Sequence, residues 1–349
     1  MLWVTDDIRI DALKPLIPPA ILMEELPLHD QESELIAKSR REIADCLHGR
    51  DPRLVCIVGP CSIHDPQAAM NYAARLKKQA DRLADDLLVV MRVYFEKPRT
   101  SVGWKGLIND PFIDGSFAIN KGLRIARQLL LDVNAIGLPA GCEFLDTIMP
   151  QFIADLVSWG AIGARTTESQ VHRELASGLS CPIGFKNATN GNVQVAIDAI
   201  EAARHPHHFL SVTKQGVAAI VATRGNPDCH MILRGSSKGA NDDETTIADT
   251  AAHLEAQGLP HRIMIDCSHG NSLKDHHNQA AVAARTADKR ADDPSAIFGV
   301  MLESNLVAGR QDAGNGTNLT YGQSITDACI GWEETVQVLE TLAYAKKEC

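Results

Sequence analysis

From about residue 51 onward, short apolar runs alternate with longer stretches in which apolar residues recur every three or four positions. The runs are "LVCIVGP", "LLVVMRVYF", "PAGCEFLD", "GAIGART", "PIGFKN", "CHMILRG", "RIMIDCSHG" and "AIFGVMLES". They lack the polar alternation of a strand with one wet face, so they read as strands buried on both sides. Helical stretches follow most of them, at residues 66–83, 119–135, 168–177 and 193–203. Repeated βα units predict a parallel sheet, and eight of them predict a (β/α)₈ barrel, with a doubly wound open sheet as the alternative. "HHFLSVT" and "AAIVAT" break the rhythm: joined through "KQG", they predict a β-hairpin at about 207–222, inserted after the fifth helix and outside the barrel. Residues 1–50 read as an N-terminal extension, a Pro-rich connector "LIPPAILMEELPLH" followed by a helix from about Glu32 to Leu47, and residues 51–349 as the barrel.

Composition narrows the class. A net charge of −10 argues against nucleic acid as a partner, yet leaves room for small anions where the cations gather in one cleft. No apolar run is long enough to span a bilayer, and Asp6-Asp7 stands where a signal peptide would have a basic start. Nine cysteines without a Cys-x-x-Cys pair do not resemble a disulfide framework. The expectation is a soluble, reduced, cytoplasmic protein with no membrane partner.

In a barrel, function gathers where the strands end. Val55–Val58 run out at Gly59-Pro60, which offers Cys61 at a strand's C-terminal end and not in its middle. In order, the eight ends carry Cys61, Arg92, Glu143, Arg165, Lys186, Arg234, His269 and Glu303, all polar or ionisable although the runs feeding them are apolar. Arg92, Arg165, Lys186 and Arg234, with Lys97 and Arg99 beyond the second strand, form a cationic set suited to a multiply charged anion such as a phosphorylated acid. Cys61, His269 and Glu303, with Asp327 of "SITDACIGW" as a fourth donor, form a mixed S/N/O set suited to one divalent ion, Mn, Fe, Co or Zn. His64 competes as a ligand but lies past the strand end beside Asp65-Pro66, and reads as a loop residue.

"GPCSIHDP", "MRVYFEKPRT", "VGWKGLINDP", "IGARTTESQVHRE", "GFKN", "ILRG", "DCSHGNS" and "SITDACIGWE" together resemble the class I, microbial 3-deoxy-D-arabino-heptulosonate 7-phosphate synthases over nearly the whole chain. The resemblance implies a metal-dependent (β/α)₈ enzyme that condenses phosphoenolpyruvate with erythrose 4-phosphate in the first step of the shikimate pathway. It implies metal ligation by Cys61, His269, Glu303 and Asp327, and phosphoenolpyruvate binding by Arg92, Lys97, Glu143, Arg165, Lys186 and Arg234. It assigns erythrose 4-phosphate to Lys97, Arg99, Thr100 and Asp327; Lys97 and His269 are the candidates for proton transfer near the aldehyde. The chain departs from the family pattern at Ala188, Asn190, Ser101 and the Ser236-Ser237 loop; none of these removes a ligand, and the departures bear on substrate affinity. A related synthase acting on arabinose 5-phosphate is one rival, and a catalytically silent anion-binding regulatory subunit is another; the "KPRT" loop and the intact ligand set argue against them. Loss of the metal would free Cys61 to form an inactivating disulfide with Cys329. The resemblance further implies a homodimer or homotetramer with an aromatic amino acid effector site built from Asp7, Pro150, Leu175, Ser180, Phe209, Ser211 and Val221. "FLSVTKQG", with Ser211, is similar to the phenylalanine-sensitive members.

Overall fold

A computed structural model describes residues 3–99 and 103–344. Its frame is a closed barrel of eight parallel strands: β1 (Leu54–Gly59), β2 (Leu87–Arg92), β3 (Ala140–Glu143), β4 (Trp159–Ile162), β5 (Ile183–Lys186), β8 (Cys229–Leu233), β9 (Ile263–Asp266) and β10 (Ile297–Glu303). Strands β6 (His208–Val212) and β7 (Ala218–Ala222) form the antiparallel hairpin between β5 and β8, outside the barrel as the sequence predicts. The barrel closes where β1 pairs with β10 on one side and β2 on the other.

Each barrel strand is buried on both faces, and its residues divide by parity. Leu54, Cys56 and Val58 of β1 pack outward against the helices, whereas Val55 and Ile57 join Leu88, Val90, Trp159, Ala161, Ile232, Met264 and Phe298 in a separate interior cluster. At the N-terminal end, Ile43, Cys46 and Leu47 of the helix Asp30–Leu47 belong to that interior cluster and plug the barrel. Burying a side chain of this size contributes about 1.5–3 kcal/mol, so the filled lower half is a rigid base for the mouth above it.

The helices Pro66–Arg82 and Ile119–Ala135 lie where the periodicity predicts. Two features differ from the sequence reading. The Pro-rich connector contains a short helix, Pro19–Glu25, because Pro19 stands in the first turn, where a missing N–H costs nothing, and Leu22 finds full burial. After β10, the segments Val307–Arg310 and Gln323–Ser324 pair, and Gly309 and Cys329 exchange backbone hydrogen bonds; this small clasp holds Asp327 over the mouth. Among the described residues, no helix is long and apolar enough to cross a membrane.

Candidate active site

Parity decides which strand-end side chains enter the barrel. Counting in twos from Leu88 and Val90 leads to Arg92, from Gly141 to Glu143, from Gly184 to Lys186, from His230 and Ile232 to Arg234, and from Met264 to Asp266. Arg92, Glu143, Lys186 and Arg234 face a cavity of about 800 Å³ at the C-terminal mouth, which is also lined by Lys97, Arg99, Arg165, His269, Glu303 and Asp327, while Asp266 is buried beneath the lining. Cys61 lies at its floor, fully buried. Gly59 precedes it because any Cβ there would lie 2.8 Å from the Arg92 carbonyl oxygen. A Cβ at Gly163 would lie 2.2 Å from Glu143 Oε1, so a side chain there would displace that carboxylate. Thr100 and Ser101 lie outside the described residues.

At the floor, Lys97 Nζ donates to Cys61 Sγ at 3.1 Å and to the Cys61 carbonyl at 3.3 Å, while Sγ donates to Asp327 Oδ2 at 3.6 Å. Burial pushes the Cys61 thiol up to about 11, Glu303 adds to the rise and Lys97 opposes it. Burial alone would lower Lys97; the neighbouring Cys61 and Glu303 outweigh it and hold the ammonium charged. Burial would raise Asp327, but Lys97 and His269 keep it below the usual carboxylate range. Cys61, Glu303 and Asp327 bring one donor atom each within 4.8 Å of one another. The donors fit a divalent ion: a thiol whose proton a cation would displace, and two carboxylates beside it. His269 stands slightly apart, its Nε2 4.0 Å from Glu303 Oε1.

Two buried ion pairs tie the cationic wall to this corner. Arg92 Nη2 donates to Glu303 Oε1 at 2.8 Å, and its guanidinium stacks on Tyr94 with 3.7 Å to the ring centroid. Lys186 Nζ donates to Asp266 Oδ2 at 2.9 Å, and the same oxygen lies 2.9 Å from His269 Nδ1. Burial would raise Asp266, but Lys186 and His269 hold it well below the ordinary range. An Nδ1–H donated to Asp266 leaves the Nε2 lone pair toward Glu303, the orientation a ligating imidazole requires. His269 holds this position with φ at 55°, in the left-handed region that a non-glycine residue adopts at a cost. His64 does not line the cavity, consistent with a loop role.

Sequence reasoning missed Asp266. Reading the seventh run as ending at His269 hid that the strand stops at Asp266, and the inward parity of Met264 was the available signal. Tyr94 was missed for the same reason, as it lies beyond the end of β2.

A second cavity, of about 490 Å³, lies on the outside of the barrel. Its lining includes Pro150, Leu175, Ser180, Phe209, Ser211 and Val221. Phe209, Ser211 and Val221 share one face of the hairpin because Phe209 pairs with Val221 and Ser211 with Ala219, whereas Leu210 and Ile220 turn to solvent. Asp7 is not among the lining residues; it is exposed in the N-terminal segment.

The comparisons agree with this geometry. Residues 27–340 match the model of the DAHP synthetase I family. The chain is 57% identical over 347 residues to the Phe-sensitive phospho-2-dehydro-3-deoxyheptonate aldolase of Escherichia coli, covering 99% of each chain. It is 56% identical over 344 residues to the tyrosine-inhibited enzyme of Schizosaccharomyces pombe, covering 97% of this chain and 92% of the relative. The solved phospho-2-dehydro-3-deoxyheptonate aldolase of Francisella tularensis superposes with a TM-score of 0.95 at 56% identity, over 97% of this chain and 98% of that one. An eight-stranded parallel barrel, a cation-lined mouth and matches of this extent lead to one conclusion: the chain belongs to the DAHP synthetase I family.

Proposed function

We propose that the cationic wall of the mouth holds phosphoenolpyruvate, and that Cys61, His269, Glu303 and Asp327 hold a divalent ion beside the aldehyde of erythrose 4-phosphate. The chain catalyses the condensation of these two substrates to 3-deoxy-D-arabino-heptulosonate 7-phosphate and inorganic phosphate, as a 3-deoxy-7-phosphoheptulonate synthase of aromatic amino acid biosynthesis. The observation that carries the division of roles is the Lys97–Cys61 contact of 3.1 Å, which joins the anion-binding set to the donor set.

Arg165, Lys186 and Arg234 clamp the phosphate and carboxylate of phosphoenolpyruvate, with Arg92 fixed from behind by Glu303 and Tyr94. Holding C3 of the enol ester against the aldehyde carbon turns an encounter into a near-attack geometry, an effect worth up to about 7–11 kcal/mol. A divalent ion at the Cys61 corner, Mn, Fe, Co or Zn, would supply Lewis acidity to the aldehyde oxygen. The C3–C1 bond forms, water adds at C2 of the electron-poor carbon left behind, and the C2–O bond to phosphate then breaks. Lys97 and His269, which line this cavity, are the proposed groups that move protons at the former aldehyde oxygen, and Arg99 is the proposed partner of the aldose phosphate.

The second cavity is proposed as the site of an aromatic amino acid effector, phenylalanine ahead of tyrosine. The hairpin face of Phe209, Ser211 and Val221 supports that reading. The exposed apolar Trp3, Val4, Ile8 and Leu13 of the N-terminal segment, with Leu210 and Ile220 of the hairpin, support an assembly of like chains.

The test is phosphate release from phosphoenolpyruvate by the chelated and metal-loaded protein. Release that needs both a divalent ion and erythrose 4-phosphate, and is slow with arabinose 5-phosphate, is expected. Equal rates with and without metal would remove the ion from the proposal.

A further inference from the structure

We propose that Asp275, His276 and His277 form a second divalent-metal site, at the rim of the barrel mouth and separate from the Cys61 corner. One donor atom from each of the three lies within 4.8 Å of the others. Donors around a tetrahedral ion sit about 3.4 Å apart, given metal–ligand distances of about 2.0–2.2 Å. The required closure is small for side chains at a loop surface.

The local backbone arranges the trio. Leu273 and Lys274 take left-handed φ values of 56° and 63°, turning the chain into the short 3₁₀ turn His276–Asn278. Asp275 caps that turn through Oδ1, which accepts the His277 N–H at 3.0 Å; among the described residues, Oδ2 has no hydrogen-bond partner. The two imidazoles lie against each other, tilted by 38° with centroids 3.9 Å apart, which keeps the pair together at the loop surface. The Asp275 carboxylate lies close to the first ring, with Oδ1 3.7 Å from His276 Nδ1, and brings negative charge beside the imidazole pair.

Two imidazoles and one carboxylate suit Zn, Co, Ni or Cu, and with no thiolate the site should be the weaker of the two. His276 and Lys274 line the same cavity as the catalytic residues, so an ion here adds positive charge at the entrance used by phosphate esters.

The test uses full-length, tag-free protein stripped with a chelator and titrated with Co²⁺ alone, read by equilibrium dialysis and absorption. Two ions per chain are expected. One should show thiolate-to-cobalt charge transfer and vanish in Cys61→Ser. The other should lack that band and weaken more than about tenfold in the double variant His276→Ala/His277→Ala. A single ion carrying the thiolate band, or a second ion unaffected by the double substitution, overturns the rim site. A single ion without the band, lost with the histidine pair, supports the rim site and instead sinks the Cys61 centre. Unchanged circular dichroism of the double variant separates lost ligands from lost fold.

Discussion

Arg92 and Glu303, on the two strands that flank β1, meet inside the barrel at 2.8 Å with side-chain exposures of 1% and 3%. The pair joins the cationic wall to the Cys61–Glu303–Asp327 donor cluster, so each group depends on the other. Removing one partner of a buried pair costs about 3–5 kcal/mol, because the other charge stays behind without compensation. Glu303→Ala should therefore lower stability by that order. Glu303→Gln keeps a hydrogen-bond acceptor for Arg92 and should fold, yet lose metal and activity. Urea midpoints and metal content of the two variants check this, and a Gln variant with wild-type metal content would remove Glu303 from the ligand set.

Cys61→Ser is expected to fold, bind metal poorly and lack activity. Cys46→Ser should be near wild type, since Cys46 is a packed thiol in the plug, pushed up to about 12 by burial. The Cys329 thiol interacts with the backbone of Cys61, and both residues are free and buried. Loss of metal leaves Cys61 with a neighbour of its own kind, so air-inactivated protein should contain a Cys61–Cys329 disulfide. Peptide mass mapping finds it or leaves another oxidation as the cause.

Glu96 precedes Lys97 and accepts long hydrogen bonds from Leu145 N–H and Asp146 N–H at 3.4 and 3.3 Å. Burial raises its carboxyl from 4.5 to about 7. The folded chain thus holds a proton that the unfolded chain has lost, and stability should fall as pH rises from about 4.5 to about 7. Glu96→Gln removes that fall and should gain up to about 3 kcal/mol on wild type above pH 7. Denaturation midpoints from pH 4.5 to 8 test it; parallel curves would show that Glu96 titrates normally.

Phenylalanine should inhibit well ahead of tyrosine and tryptophan. Ser211 lines the second cavity on the hairpin face, and its hydroxyl is expected to leave room for the plain ring and to crowd an added phenolic oxygen. Apolar pockets reject an added hydroxyl by only ~10²-fold, so the preference should be graded. Ser211→Gly should move it toward tyrosine. Inhibition curves for the three amino acids on both proteins decide, and full activity with insensitivity to all three would leave the cavity without an effector.

Much of this molecule is written locally in the chain. The eight apolar runs are strands because burial on both faces demands continuous hydrophobicity, and Ile119–Ala135 is a helix where its apolar period says so. The strand-end residues Arg92, Glu143, Lys186 and Glu303 stood out because a charge closing an apolar run has no packing purpose. The hairpin was legible from its turn, whereas the face that Phe209, Ser211 and Val221 share came from the strand pairing. What needed the tertiary structure were meetings between residues far apart in sequence. The pairing of β1 with β10 closed the barrel and brought Cys61 to Glu303; the clasp of Val307–Arg310 on Gln323–Ser324 carried Asp327 to the same place. Asp266 became a partner of both Lys186 and His269 only once strand length and inward parity were known. Local pattern reports what each residue needs from its immediate neighbours, whereas strand register and barrel closure decide which distant charges must share one buried space, and no single segment carries that information.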